Sequence, residues 1–372
     1  MTAKPTSQQR YRGCLLAGAA GDALGAAIEF WSLNDIRQHF GSTGVSEFIP
    51  AYGRLGAITD DTQMTLFSAD GLLRGLIRYR LRGEANIAAI VDRAYQRWLL
   101  TQGSTNHHLP SPLDDDSTEW LYQHEALHHC RAPGMTCLSA LRAKTAYGDK
   151  AENGSKGCGG VMRVAPVGLY GAHRLPQAEN KREVFRLGCA VGGLTHGHPT
   201  GQVASGALAV IISELVRGAT LPGAITDSME LARTDPRSEE TVNAMSTAMA
   251  LADTEPNADA AIQTLGDGWI AEEALAIALY ACLRASTLEQ AVIEAANHGG
   301  DSDSTAAIAG HIAGAFFGSD ALPNHWLEHL ELRGLITEVA DDLFECIDWK
   351  LGPEGEDTEF GARGILAKYP AC

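Results

Sequence analysis

Two short acidic runs are the residues of this sequence best suited to chemistry. Thr59-Asp60-Asp61-Thr62 precedes an apolar helical run from Met64 to Leu73. His298-Gly299-Gly300-Asp301-Ser302-Asp303-Ser304-Thr305 leads into a second one, Ala306 to Phe317. A Thr or Asp before a helix is first of all an N-cap, because its oxygen accepts from a free N–H of the first turn. Capping needs one such residue, however, and adjacent carboxylates repel each other. A hard divalent cation removes that repulsion, since Mg2+ and Mn2+ prefer carboxylate, hydroxyl and water oxygens. Either run alone is accounted for as a cap supported by the helix dipole. The second adds Gly299-Gly300, which removes Cβ bulk and permits unusual backbone angles. Together the two runs point to one binuclear, oxygen-ligated centre.

Other segments carry weaker signals. Asn153 to Gly160 (NGSKGCGG) holds four glycines in eight residues. Consecutive Gly and Ser expose backbone N–H groups to an anion, although a surface turn is the simpler account of the composition. No Gly-Lys-Ser/Thr ends the run, so it is not a Walker loop. In Thr195-His196-Gly197-His198-Pro199, imidazole nitrogens could bond phosphate or ribose oxygens; His198 reads equally as a helix-start histidine satisfied by backbone. His124, His128, His129, Cys130 and Cys137 match no standard zinc spacing. They read as a solvated helical face, with His124 and His128 one turn apart. Asp114-Asp115-Asp116 reads as solvated loop.

The elements that must position these residues are helices. Apolar residues recur at helical spacing from Leu66 to Ile77, Ala88 to Leu100, Val203 to Val216, Ala271 to Leu283 and Ala306 to Phe317. Alternating strand patterns are almost absent, so the expected class is all-α, with at most a short hairpin. Stretches such as GALAV and TAAIAGHIAGAFFG sacrifice helix propensity at glycine but let neighbouring helices approach closely. Gln102 to Thr118, with Pro, Gly, Ser and an acidic triplet, reads as a mobile rim. No long linker interrupts the chain, and a single domain spanning 1–372 is expected.

Composition narrows the partners. The 372 residues are 45% hydrophobic and 20% charged, ordinary for a folded protein able to bury a large core. A net charge of −17 repels nucleic acid and anionic lipid, but leaves room for a small anionic ligand. Eight scattered cysteines without a CxxC pair read as reduced thiols. The polar N-terminus lacks an apolar signal core, and stretches such as Ala204 to Ile212 are about half of the roughly 18 residues of a membrane span. A cytoplasmic protein with no nucleic-acid or membrane partner is therefore expected.

Five motifs, in order along nearly the whole chain, resemble the ADP-ribosylglycohydrolase family of the dinitrogenase-reductase-activating glycohydrolase type. They are Gly18-Ala-Ala-Gly21-Asp22-Ala-Leu-Gly25 with Glu29; Thr59-Asp60-Asp61-Thr62; Gly157-Cys158-Gly159-Gly160-Val161-Met162-Arg163-Val164-Ala165-Pro166; Thr195-His196-Gly197-His198-Pro199; and Gly299-Gly300-Asp301-Ser302-Asp303-Ser304. The resemblance implies a helical bundle. It also implies two divalent cations, Mg2+ or Mn2+, bound by Thr59, Asp60, Asp61, Asp301, Asp303 and Ser304. The family more often has threonine at Ser302 and Ser304, and the hydroxyl survives at Ser304. Glu29 matches an acidic residue near the cations that would accept a proton from water or gate the site. Catalysis would fall to Glu29, Asp60, Asp61 and Asp303.

The same resemblance places Gly154, Ser155, Lys156, Gly157, Cys158 and Gly159 around the diphosphate and distal ribose of ADP-ribose. Lys156 stands where some relatives carry an aromatic that stacks on adenine, so its charge would serve the diphosphate and the adenine platform would lie elsewhere. Cys158 replaces a common asparagine. His196 would line the nucleotide pocket, and Arg163 reads as a buried structural ion pair. The implied reaction is hydrolysis of the N- or O-glycosidic bond joining ADP-ribose to a protein side chain, arginine by default. The partner would then be an ADP-ribosylated protein or ADP-ribose conjugate. Alternatives are an antidote that also blocks a cognate ADP-ribosyltransferase toxin, or a hydrolase of another ADP-ribose conjugate or small nucleotide. A binding module without activity should have lost an acidic ligand, and none is missing.

Overall fold

The computed structural model describes residues 4–113, 119–172, 177–351 and 362–371. Among them there are seventeen α-helices, short 3-10 turns and no strand. In order these are α1 (Ser7–Gly25), α2 (Leu33–Phe40), α3 (Asp60–Arg82), α4 (Ile87–Thr101), α5 (Met135–Ala143) and α6 (Ala165–Gly171). Then come α7 (Gln177–Gly193), α8 (Pro199–Val216), α9 (Leu221–Ala232), α10 (Glu239–Thr254), α11 (Ala258–Leu265) and α12 (Ala271–Arg284). The series closes with α13 (Leu288–Ala296), α14 (Ser302–Phe317), α15 (Asn324–His329), α16 (Arg333–Glu345) and α17 (Ala362–Lys368). The all-α expectation holds. Its hairpin shrinks to a tight turn, Ala51 to Arg54, and one further isolated bridge joins Gly157 to Ile270.

Local chemistry sets the helix starts. Thr6 and Gln9 form a reciprocal capping box at α1, and Thr59, Asn86, Thr220, Asn257 and Thr287 accept from first-turn N–H groups of α3, α4, α9, α11 and α13. Asp301 behaves differently. It occupies the N-cap position of α14, yet its side chain makes no capping bond. The carboxylate is committed elsewhere.

Small residues decide which helices meet. α1 and α14 run antiparallel in close contact. A Cβ on Gly21 would come within 2.1 Å of Ala306 O, and one on Gly25 within 2.4 Å of Asp303 Cα. Gly310 and Gly314 face α1 backbone in the same way, with a Cβ on either only 2.0 Å from a carbonyl oxygen of Ala17 or Gly13. This approach brings the C-terminal end of α1 to the N-terminal end of α14. Gly300 also works by close approach: a Cβ there would lie 1.9 Å from Asp267 O, and Asp301 N–H donates to that oxygen at 2.8 Å. Neither Gly299 nor Gly300 has the positive φ that the Gly-Gly pair suggested.

The apolar core is continuous from α1 through α16. α8 is long and apolar enough to cross a membrane, an exception to the short stretches read from sequence, but 94% of it is buried inside the protein. Between α3 and α4 lies a buried polar network. Arg74 donates to Asp70 at 2.9 Å and Glu119 at 2.5 Å, and Arg97 donates to Asp70 at 2.6 Å.

One expectation needs correction. His124 and His128 do not share a helix face, because residues 121–127 form two short 3-10 turns. Trp120 packs edge-on against His124, and His128 Nε2 lies 2.5 Å from Tyr122 O. Within the rim segment, Asn106 donates to Leu141 O and Lys144 O at 2.7 and 2.9 Å, at the end of α5. Asp114-Asp115-Asp116 and the rest of that rim, through residue 118, lie outside the described residues.

Candidate active site

Three helix ends converge on one point. Asp22, near the end of α1, is fully buried and accepts from Thr59 N–H with both oxygens at 3.0 Å. It accepts again from Thr62 N–H at 3.1 Å and Thr62 Oγ1 at 2.5 Å. One carboxylate of α1 therefore fixes where α3 begins. Thr59 Oγ1 then accepts from Asp61 N–H at 3.3 Å, which sets the first turn, and Asp60 Oδ2 accepts from Gly134 N–H at 3.3 Å. On α14, Asp303 Oδ1 accepts from Ser304 N–H at 2.9 Å. Glu29, in the turn after α1, completes the group: carboxylate oxygens of Glu29, Asp301 and Asp303 all lie within 4.8 Å of one another.

Six carboxylates, Asp22, Glu29, Asp60, Asp61, Asp301 and Asp303, are thus buried together. No ion pair among the described residues involves any of them. Burial first, and mutual repulsion second, raises their proton affinities. Glu29 is pushed up to about 10 by burial and then by Asp303, Asp301, Asp60 and Asp22. Burial and Asp303 raise Asp22 to about 7, against the hydrogen bonds from Thr62 and Thr59. Asp60, Asp61 and Asp301 rise well above the usual range for the same two reasons, burial and Asp303. Asp303 is also raised, by burial, although Asp301, the Ser304 N–H and the Thr59 side chain pull it back. The positive ends of the α3 and α14 dipoles favour negative charge here, but they do not offset so many carboxylates.

This cluster forms one end of a cavity of about 200 Å3. Glu29, Asp60, Asp61, Asp301, Asp303 and Ser304 line it, facing Gly157, Cys158, Gly159 and His196. Glu29 Oε2 and Asp61 Oδ2 are buried without any hydrogen-bond partner. Orphaned anionic oxygens in an all-acid pocket have the chemistry of a hard-cation site. The donor set fits the Mg2+ or Mn2+ pair that the motifs imply.

The opposite wall has a defined polarity. Arg163 is fully buried, donating to Thr195 Oγ1 at 2.5 Å, Cys137 Sγ at 3.3 Å and Met64 Sδ at 3.2 Å. Its guanidinium lies over Tyr95 at 4.3 Å. It is structural, but its partners are sulfur, hydroxyl and an aromatic face, not the carboxylate that an ion pair requires. Thr195 Oγ1 also lies 2.9 Å from His196 Nδ1. His196 Nε2 faces the Gly157 wall; a Cβ on Gly157 would lie 3.2 Å from it. Burial, then Arg163, lowers the imidazole to about 3, so the ring is neutral near pH 7.

The glycine-rich loop divides in two. Gly157, Cys158 and Gly159 line the cavity, whereas Gly154, Ser155 and Lys156 do not. Ser155 Oγ meets Thr136 Oγ1 at 3.1 Å, and Lys156 Nζ is held by Glu272 and, at 2.8 Å, by Glu240. Lys156 fastens the loop to α10 and α12, and it is not among the residues that line the cavity. His198 takes the bland role: its Nδ1 accepts from Thr200 N–H and caps α8.

Several residues escaped sequence reasoning. Asp22 lay within a quoted motif, but its partners are remote in sequence. Trp269 lines the cavity, 41% exposed, and its ring stacks on that of Phe30 at 5.9 Å and 17°. Met135 lines the same cavity, 71% exposed. An exposed Trp after Asp267-Gly268 was the one available signal. Tyr52 has φ +50° in the Ala51–Arg54 turn, and Arg131 sits over its ring at 5.7 Å. Burial and then Glu29 and Asp303 raise its phenol, which puts it within the field of the acid cluster.

The arrangement can be compared with known proteins. A glycohydrolase of Rhodospirillum rubrum, ADP-ribosyl-(dinitrogen reductase) glycohydrolase, is 26% identical over 88% of this chain and 92% of its own length. An ADP-ribosylarginine hydrolase of Pseudomonas putida is 25% identical over 90% of this chain and 78% of its own. An ADP-ribosylhydrolase of Homo sapiens is 23% identical over 87% and 90%. Among solved structures, an ADP-ribosylglycohydrolase-related protein complex shares the fold, with a TM-score of 0.58 and 24% identity over 91% of this chain and 98% of that one. The family model described as ADP-ribosylglycohydrolase matches residues 3–351, and the chain belongs to that family.

Proposed function

We propose that the chain is a cation-dependent hydrolase that cleaves the glycosidic bond between ADP-ribose and a modified protein side chain, arginine being the default acceptor. One observation carries this reading. Six buried carboxylates without a counter-ion meet a wall of backbone and neutral imidazole across a single small cavity. Family membership supplies the class of substrate, and the relatives described as acting on ADP-ribosylated arginine and dinitrogen reductase support a protein conjugate.

Asp60, Asp61, Asp301 and Asp303, with the Thr59 and Ser304 hydroxyls, would hold the two cations. When bound, these would supply positive charge that favours ionisation of water and orients the ribose hydroxyls. The chain's own residues do the rest. Glu29, without a partner for Oε2 in the cavity wall, would lose its raised proton affinity beside bound cations, take the proton of the attacking water and return it to the acceptor nitrogen or oxygen as the C1–acceptor bond breaks. Asp22 keeps the start of α3 in register. His196 Nε2 would hydrogen-bond a ribose hydroxyl, and the Gly157–Gly159 backbone permits close approach. A cavity of about 200 Å3 is smaller than the roughly 300–1,000 Å3 that encloses a drug-sized ligand. It therefore receives the reacting ribose, and the nucleotide end lies across the mouth, where the exposed Trp269 ring offers a planar face.

The test is to incubate the protein with Mg2+ or Mn2+ and arginine-, serine- or acetyl-linked ADP-ribose. Free ADP-ribose, released fastest from the arginine conjugate and abolished by chelator, is expected. Inorganic phosphate as the product, or turnover unaffected by chelation, would defeat the proposal.

A further inference from the structure

A groove of about 670 Å3 lies beside the catalytic cavity, and the hydrolysis proposed above leaves it unused. Tyr52, Arg54, Glu125, Arg131 and Glu331 are in its lining. The two spaces share a wall. Cys130 and Arg131 face the groove, whereas Ala132 and Gly134 face the catalytic cavity. Arg131 donates to Ile58 O at 2.8 Å, and Gly134 N–H donates to Asp60 Oδ2 at 3.3 Å, so this wall is pinned to the start of α3.

The groove is held in a costly shape. Glu331 accepts from Arg54 at 2.8 Å, from Arg131 at 3.2 Å and from Ile58 N–H at 3.1 Å. Among the described residues, three other than glycine have a positive φ, and all stand here: Tyr52 in the lining, Ala132 after Arg131 and Leu332 after Glu331. Left-handed backbone is unfavourable for such residues and persists where the surroundings impose it, often at ligand clamps. The charge left over is negative. Arg54 and Arg131 are both committed to Glu331, whereas no ion pair among the described residues involves the exposed Glu125. The carboxylates of Glu29 and Asp303 act on Tyr52 from the cavity side. The Tyr52 ring, 45% exposed, is an aromatic anchor of the kind that dominates binding energy at interfaces.

We propose that this groove docks the polypeptide of the modified protein beside its ADP-ribosylated residue, with Tyr52 as the anchor and Glu125 selecting a basic residue in that segment. The inference rests on the hydrolase reading and divides the substrate between two sides of the site. The nucleotide goes to the Gly157–Gly159 and Trp269 side, and the polypeptide goes to the Tyr52 side. A conjugate enters as one molecule, so its polypeptide must leave the catalytic cavity by a route that the nucleotide does not fill. The groove lies across the shared 130–134 wall, and its spare negative charge complements a basic segment.

The experiment gives the full chain ADP-ribose on a free amino acid and on the same amino acid within peptides of basic or acidic flanks. The linkage used is the one that the parent cleaves fastest. Tyr52→Ala should raise KM for the basic peptide, relative to KM for the free amino acid conjugate, roughly 10-fold, the scale of a lost anchor. The parent should favour basic over acidic flanks about two- to fivefold, as for an exposed ion pair, and Glu125→Gln should erase that preference. A second arm needs no folding-sensitive variant. Cys130, the one exposed thiol among the described cysteines, lines the groove, so coupling it to a bulky maleimide should raise the same KM ratio. In Cys130→Ser the reagent should have no effect. A KM ratio unmoved in either arm, or a preference for acidic flanks, overturns the docking groove while the hydrolase reading stands. A parent that releases ADP-ribose from none of the conjugates removes that reading and this inference with it.

Discussion

Helix α3 carries buried carboxylates in two settings. At its start, Asp60 and Asp61 sit among like charges with no cation, and both have their proton affinity raised. Further along, Asp70 is as deeply buried, yet Arg74 and Arg97 donate to it, and their attraction outweighs burial so that its proton affinity falls. The Asp70 group is neutralised from within and closes the α3–α4 interface. The Asp60 and Asp61 group is incomplete, and a protein tolerates such a cluster where something from outside completes it. Buried charge of itself therefore says little; the presence or absence of a counter-charge separates structure from site.

Mutation should separate the two settings cleanly. Asp303→Ala is expected to lower turnover on the order of 1,000-fold, while the cation-free protein unfolds at a temperature no lower than the parent, because one repelling charge is gone. Thermal melts and single-turnover assays check both halves; a correctly folded variant with parental rate would falsify the cation-centred account. Asp70→Asn should show the reverse. It should lose about 3–5 kcal/mol of stability, as when one partner of a buried ion pair is removed, but retain activity per folded molecule. Denaturant titration measures the first, and loss of activity without loss of stability would erase the contrast.

Asp22→Asn probes the link between α1 and the cluster. It keeps an acceptor for α3 but discards charge, and calorimetry should show cation affinity reduced roughly 10- to 100-fold. Unchanged affinity would show that α3 holds its register unaided.

The pH dependence follows from the signs of the shifts. Glu29, raised from 4.5 to about 10, contributes stability that is fully present below pH 4.5 and is lost as pH rises through its folded value. Asp70, lowered from 3.8, contributes stability above pH 3.8 that is lost on acidification below it. Cation-free protein should melt at progressively lower temperature between pH 5 and pH 10, and Mg2+ should flatten that slope. A slope that Mg2+ leaves untouched would place the titrating groups elsewhere. The smallest effect is expected at Lys156. With Nζ already held by Glu240 and Glu272, Lys156→Ala should change KM by less than about fivefold, the scale of a partly exposed ion pair. A larger change would return Lys156 to the diphosphate.

Much of the candidate site was legible before any coordinates, because its donors are local. Asp60-Asp61 and Asp301-x-Asp303 each announce themselves by adjacency, and Glu29 stands close behind a recognisable glycine motif. What stayed hidden depends on partners distant in the chain. Lys156 looked like a free cation in a flexible loop, but Glu240 and Glu272 arrive from α10 and α12 to claim it. His124 and His128 had helical spacing without the apolar periodicity around them to sustain a helix. Cys158 is an ordinary substitution in one dimension and a neighbour of Asp301 in three.

By itself the sequence determined the helical class, the helix starts, and the residue types able to hold a hard cation, since propensity, capping and ligand preference act over a few neighbouring residues. Only the tertiary structure decided that the ends of α1, α3 and α14 share one point, that no Lys or Arg among the described residues pairs with its carboxylates, and which side of the glycine loop faces the cavity. Those outcomes depend on how closely helices approach. Here the missing Cβ atoms between α1 and α14 set that distance, and no local preference encodes it.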